Sequence, residues 1–110
     1  MLGYKLFTPE WTAIKGKGGT IHPYQYEIGK CYEEPNKPKV ASTGFHFCKN
    51  LLDCFNHYGI DVHNRIALVD AYGDVDETSN ACSTNKIKIV KEIPWREAIK
   101  ICEEQTNGGK

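Results

Sequence analysis

Along the chain, short apolar runs are separated by polar, glycine- and proline-bearing connectors. GYKLF, Gly3 to Phe7, is aromatic and apolar and stops at Thr8-Pro9, which predicts a first strand. WTAIKGKGGTIHP then crowds glycine, lysine and proline together and predicts a loop. YQYEI, Tyr24 to Ile28, alternates and predicts a second strand, turned by Gly29-Lys30, and EEPNKPK is a further loop. GFHFC, Gly44 to Cys48, predicts a short strand with Phe45 and Phe47 on one side and His46 and Cys48 on the other. Asn50 stands where a helix N-cap belongs and Gly59 where a C′ glycine belongs. Between them Leu51, Leu52, Phe55 and Tyr58 recur at helical spacing and predict a buried stripe. RIALVDA, Arg65 to Ala71, reads as a strand and GDVDETSNACSTN as a polar, acidic loop. KIKIVKEI, Lys86 to Ile93, puts Ile87 and Ile89 on one face and Lys86 and Lys88 on the other, as a half-buried strand does. Pro94 suits the first turn of a last helix, whose apolar stripe is Trp95, Ala98, Ile99 and Cys102. The tail QTNGGK, residues 105–110, is expected to fray.

This order predicts one α+β domain over residues 1–104: a mostly antiparallel sheet of about five strands with two helices. The length of 110 residues and the 40% hydrophobic, 25% charged composition agree with a single globular core. Lys+Arg and Asp+Glu balance at 14 each, which argues against a nucleic-acid binder working by bulk electrostatics. No basic leader with an apolar run opens the chain and no stretch approaches a membrane span, so the expected location is the cytoplasm, away from membranes. The five cysteines, an odd number without framework spacing, are expected to be free thiols there. Cys54 and Cys102 fall on the apolar sides of their helices, as small buried hydrophobes do.

Several residue sets carry candidate chemistry. Gly16 to Thr20, with Lys15 and Lys17, offers backbone amides and charge to a phosphate, although the Walker spacing is absent. The alternative is a plain flexible loop. His46, Cys48, Cys54 and His57 form H-x-C-x5-C-x2-H, a set of zinc-ligand types without the compact C-x2-C knuckle; buried thiols explain it more simply. A nucleophilic Cys–His pair drawn from the same residues needs an exposed cleft and a lowered thiol pKa. Neither metal nor cofactor is therefore part of the expected site. Aromatic residues concentrate in the first half: Tyr4, Phe7, Trp11, Tyr24, Tyr26, Tyr32, Phe45, Phe47 and Tyr58. Beside a basic glycine-rich loop they suit a nucleotide-like ligand, with rings stacking the base; an aromatic core with solvated lysines is the alternative.

The blocks GYKLF…W, YQYEIGKCY, GFHFCKNLLDCFNHY and NKIKIVKEIPW, in that order, resemble an uncharacterised domain family common in bacteriophages and mobile elements of Gram-positive bacteria. The resemblance covers nearly the whole chain and implies a phage or prophage setting without an established activity. A shorter similarity is to ADP-ribosyltransferases. TGFHFCKNLLDCFNHY resembles their central strand and helix, with His46 in place of the tyrosine that packs on nicotinamide. GYKLFTPE resembles their first strand, with Thr8 in place of its histidine, and TNKIKIV their catalytic strand, with Lys86 in place of its glutamate. A lysine there has the wrong charge for an oxocarbenium-like transition state, so the resemblance implies an ADP-ribose-like cleft without turnover.

The leading expectation is thus a phage-type accessory protein that binds a nucleotide-derived small molecule, with counter-defence by sequestration. Its ligand residues would be Thr8, Trp11, Lys15, Lys17, His22, Tyr24, His46, Tyr58 and Lys86. One alternative is a protein–protein inhibitor of a host defence enzyme, acting through an exposed aromatic patch. Another is a divergent nucleotide-processing enzyme using His22, His46, His57 or Glu27 as acid or base.

Overall fold

A computed structural model describes residues 1–14 and 24–107. Among these, seven strands form two antiparallel sheets, and two helices complete an α+β domain. The strands are β1 (Leu2–Phe7), β2 (Cys31–Glu33), β3 (Phe45–Phe47), β4 (Arg65–Ala71), β5 (Val75–Glu77), β6 (Cys82–Thr84) and β7 (Lys86–Glu92). The helices are α1 (Leu51–Tyr58) and α2 (Trp95–Asn107). The larger sheet has the order β1-β4-β7-β2 and the smaller one β3-β6-β5.

Side-chain alternation explains how the layers stack. On β4, Ala67, Val69 and Ala71 point to one face and Ile66 and Leu68 to the other. The first set meets Phe45, Phe47 and Cys82 of the smaller sheet, together with Ile87 and Ile89 of β7. The second set meets Leu51, Cys54 and Phe55 of α1 and Ala98 of α2. The larger sheet is thus the middle layer, with the small sheet on one side and the helices on the other. Two cores result, and β1 serves both, with Phe7 in one and Leu6 in the other. A bulge between Leu68 and Val69 brings Ile89 opposite Val69, which keeps both in the inter-sheet core.

Several expected elements differ. Tyr24 to Ile28 is not a strand; hydrogen bonds to β7 begin at Gly29 and Lys30, through Ile89, and the regular ladder follows from Cys31. Instead Tyr26 N donates to Trp11 O at 2.9 Å, and the Gln25 amide donates to Glu10 O at 2.5 Å. The loop expected after Ala71 contains β5 and β6, which raises the strand number from five to seven. β6 is wholly buried, and its hydroxyls are matched: Ser83 Oγ donates to Thr43 O at 2.5 Å and Thr84 Oγ1 to Asp74 O at 2.7 Å. Gly44 precedes β3 at φ 98° because a Cβ there would meet Ser83 Oγ and Thr84 O.

The helices hold one further surprise. Asn50 occupies the N-cap position of α1 in an extended conformation but its side chain makes no capping bond. The Leu51 N–H donates instead to Gln105 Oε1 of α2, at 2.8 Å. Helix α2 therefore runs past Glu104, through residues expected to fray. Leu52 and Tyr58, expected in the buried stripe of α1, are exposed, while Leu51, Cys54 and Phe55 are buried.

Candidate functional site

Helix α1 turns its Leu51–Cys54–Phe55 edge to the sheet, and the chain leaves it at Gly59, at φ 78°. Ile60 and Val62 follow in the connection to β4 and point outward, 72% and 64% exposed. On α2, Ala98 is buried against the sheet, which leaves Ile99 at 58% exposure on the flank beside α1. Between them lies a groove of about 490 Å³, a volume in the range of small-molecule and peptide-side-chain pockets. Its walls are Leu52, Phe55, Ile60, Val62, Trp95 and Ile99, and Glu103 and Thr106 stand toward the C-terminal end of α2. Trp95 is fixed as part of the floor: its ring stacks on Phe55 at 5.3 Å and its indole N–H donates to Asn64 O at 3.1 Å. The groove is apolar almost throughout and offers no acid–base pair.

Among the described residues, none of the expected ligand residues lines this groove. Trp11 and Tyr24 do meet in one aromatic nest at the open end of the inter-sheet core. Trp11 lies 5.1 Å from Phe7, and Tyr24 lies 5.2 Å from Phe45 and 5.7 Å from Tyr32. The Arg65 guanidinium sits over the Trp11 ring. Trp11 adopts φ 63°, a left-handed conformation uncommon for a bulky residue. It closes a turn in which Thr8 is fully engaged: the Thr8 carbonyl accepts from Trp11 N, and its hydroxyl pairs with Thr12 Oγ1 at 2.6 Å. The Tyr26 hydroxyl is buried in this nest without a hydrogen-bond partner among the described residues, and that burial pushes its pKa up.

The other expected residues lie elsewhere. His46 Nε2 accepts the Ala41 N–H at 2.9 Å, so the ring clips the preceding loop. Tyr58 is on α1, behind the larger sheet. Lys86 heads β7 opposite Glu33, next to the end of β4 that carries Ala71. Thr8 follows Phe7, which pairs with Arg65 at the other end of β4. Six residue steps of strand separate those ends, about 20 Å. Thr8 and Lys86 therefore do not share a cleft. Lys15, Lys17 and His22 lie outside the described residues.

Of the zinc-type set, Cys48, Cys54 and His57 approach one another around Tyr4 and Asn80, but His46 points away. Among the described residues no group of three or more His, Cys, Asp or Glu side chains is placed to hold a metal ion. One charged residue was not singled out from the sequence. Lys5 alternates with Gly3 and Phe7 and so enters the inter-sheet core, where burial brings its pKa down to about 8. Its ammonium donates to His46 O at 2.7 Å and faces the rings of Phe7 and Tyr26.

The groove residues had a visible signal too. Apolar Ile60 and Val62 follow a helix-ending glycine, and the apolar arc of α2 is wider than one sheet contact can cover. Two packed sheets, two helices on one face and a groove between those helices that no described residue fills define a small α+β domain with an open apolar flank. The chain belongs to the family described as a domain of unknown function, DUF7666, whose model matches residues 1–101. No curated protein and no solved structure matches the chain. No helix among the described residues is long and apolar enough to cross a membrane.

Proposed function

We propose that the domain is a binding module without turnover, and that its α1–α2 groove receives an apolar, basic helical segment of a partner protein. The observation that carries this is the continuous exposure of Leu52, Ile60, Val62 and Ile99 around one groove. Apolar side chains clustered this way mark interaction surfaces, whereas scattered ones do not. The groove walls run from Trp95 to Thr106, about 16 Å of helix, which matches three turns of an amphipathic partner. The charge of that partner follows from Glu103 and Glu104. They stand near the C-terminus of α2, where the helix dipole disfavours carboxylates, and no basic residue of the last turn offsets them. Lysine or arginine flanking the apolar stripe of a partner would do so. In the phage setting that the sequence resemblance implies, the partner is a host protein in the bacterial cytoplasm.

A second reading keeps the nucleotide-derived ligand and places it at the aromatic nest. It is favoured by the left-handed Trp11 and by the Tyr26 hydroxyl, unmatched among the described residues, since strain and unsatisfied polar groups concentrate at functional sites. Its described residues are Thr8, Trp11 and Tyr24; the lysines Lys15 and Lys17 and His22, expected from the sequence, lie outside the described residues.

One set of titrations separates the two. The probes are a synthetic three-turn peptide with leucines at helical spacing flanked by lysines, its glutamate-flanked counterpart, and ADP-ribose. Emission of Trp95, read in Trp11→Phe protein, is expected to shift saturably with the lysine peptide. Ile99→Asp should weaken that binding at least about tenfold, in line with a charge placed in an apolar contact. Because Ile99 is mostly exposed, the variant should still fold. The lysine peptide should bind tighter than the glutamate one, and Glu103→Gln should narrow the gap. Equal binding to wild type and Ile99→Asp rejects the groove. Calorimetric heat with ADP-ribose that vanishes in Trp11→Ala would establish the second reading instead.

A further inference from the structure

The groove and the aromatic nest leave one reactive cluster unused, at the junction of β1, the end of β3 and α1. Tyr4 and Cys48 pair as an isolated antiparallel bridge, with Tyr4 N donating to Cys48 O at 2.7 Å and Cys48 N to Tyr4 O at 2.9 Å. Cys54, in the first turn of α1, points back to the same place, and its thiol donates to Tyr4 O at 3.4 Å. Cys48 and Cys54 thus meet at one atom: the Tyr4 carbonyl accepts both the Cys48 N–H and the Cys54 thiol. Cys48 Sγ has a second partner, the carbonyl of exposed Asn80 at 3.4 Å, and His57 Nε2 stands 3.1 Å from that same carbonyl. Cys48 thus lies one residue deep, beneath the β5–β6 turn and next to exposed His57.

From this geometry we propose that Cys48 and Cys54 are a redox-active dithiol, which hydrogen peroxide closes into an intramolecular disulfide. Their roles differ because their surroundings differ. The neighbouring Cys54 thiol, together with the positive charge of the Lys5 ammonium, outweighs burial and Asp53 and lowers the Cys48 pKa. The same contact, with burial, raises Cys54. Cys48 is therefore the attacking thiolate and Cys54 the resolving thiol. Cys48 Sγ attacks one peroxide oxygen, the O–O bond breaks, and hydroxide leaves, taking up the proton that Cys48 lost to become water. Cys48 is now a sulfenic acid. Cys54 Sγ then attacks Cys48 Sγ. The S–O bond breaks, and a second water leaves with the Cys54 proton. Two thiols are oxidised by one electron each, and peroxide is reduced by two. The bond would tie the first turn of α1 to the end of β3.

The cysteine map of the chain makes the test direct. Trypsin cuts after Lys49, so Cys48 falls in a peptide of residues 40–49 and Cys54 in one of residues 50–65, each with no other cysteine. The protein is treated with hydrogen peroxide, alkylated, digested and mapped by mass spectrometry. The expected product is those two peptides joined, lighter by two hydrogen atoms than their sum and separated again by dithiothreitol. Cys54→Ser protein is expected to hold Cys48 as a sulfenic acid that dimedone labels. Preferential joining of any other cysteines overturns the proposal. So does recovery of both thiols intact at a peroxide dose that oxidises the exposed Cys31. Should Cys54→Ser fail to fold, the wild-type map decides alone.

Discussion

Lys5 shows how one side chain can be placed by its neighbours rather than by its own chemistry. Its backbone sits in β1 between Tyr4 and Leu6, which face the helices, so its side chain must enter the inter-sheet core. A lone ammonium there has one carbonyl and two ring faces in place of water. Its pKa falls from 10.5 to about 8, because burial disfavours the charged form. Between those two values the unfolded chain binds more protons than the folded one, so the Lys5 contribution to stability rises with pH. Its cost is complete below pH 8 and gone above 10.5, a change on the order of 3 kcal/mol. Urea unfolding of two proteins, one with Lys5 and one with Lys5→Met, at pH 7.5 and at pH 10.5, checks this. Tyrosines with raised pKa are common to both proteins, and Cys48 and Cys54, which feel the Lys5 charge, are replaced by alanine in both, so the difference isolates Lys5. The protein with Lys5 is expected to gain on the variant as pH rises, and an unchanged difference would mean that the amine is solvated.

Helix α1 shows the same dependence one level up. Eight residues are too few for a stable isolated helix in water, so its stability comes from packing and its ends. Gly59 ends it as the sequence implies, its N–H bonding to Phe55 O at 2.7 Å. The start is different. Asn50 is the right residue type at the right place, yet Gln105, 54 residues away, supplies the acceptor for Leu51 N–H. Propensity alone has no access to such a partner. Gln105→Ala, and likewise truncation after Glu104, is expected to lower stability by about 1 kcal/mol, as loss of an N-terminal cap does. Denaturant midpoints measure it; an unchanged midpoint for both would show that the contact adds nothing.

Across the whole molecule, the two-core arrangement divides residues that look alike in sequence. Phe45 is fully buried between the sheets, whereas Leu52 is 43% exposed on the groove rim. Phe45→Ala is expected to cost about 3–5 kcal/mol and Leu52→Ala less than about 1 kcal/mol, while Leu52→Ala weakens peptide binding. Thermal melts paired with the titration above would show both, and a large destabilisation from Leu52→Ala would mean that the groove is really core. What the chain order determined by itself was the longer local elements. Alternation placed β1, β4 and β7, helical spacing placed α1 and α2, and together they implied an antiparallel α+β domain. β5 and β6 escaped because their residues are polar or small. The burial of β6 becomes affordable only when Thr43 O and Asp74 O accept the Ser83 and Thr84 hydroxyls across the fold. The aromatic nest was half legible, since Trp11 and Tyr24, both singled out from the sequence, pack on the same buried cluster. His46, Tyr58 and Lys86 were scattered because strand position says which face a side chain takes, not which end of the sheet it reaches. The sequence hinted at the apolar residues of the groove, but tertiary structure decided that they line one groove and that Cys54 meets Cys48 at Tyr4. Each is made by the relative placement of separate elements, and that placement depends on burying two apolar faces at once.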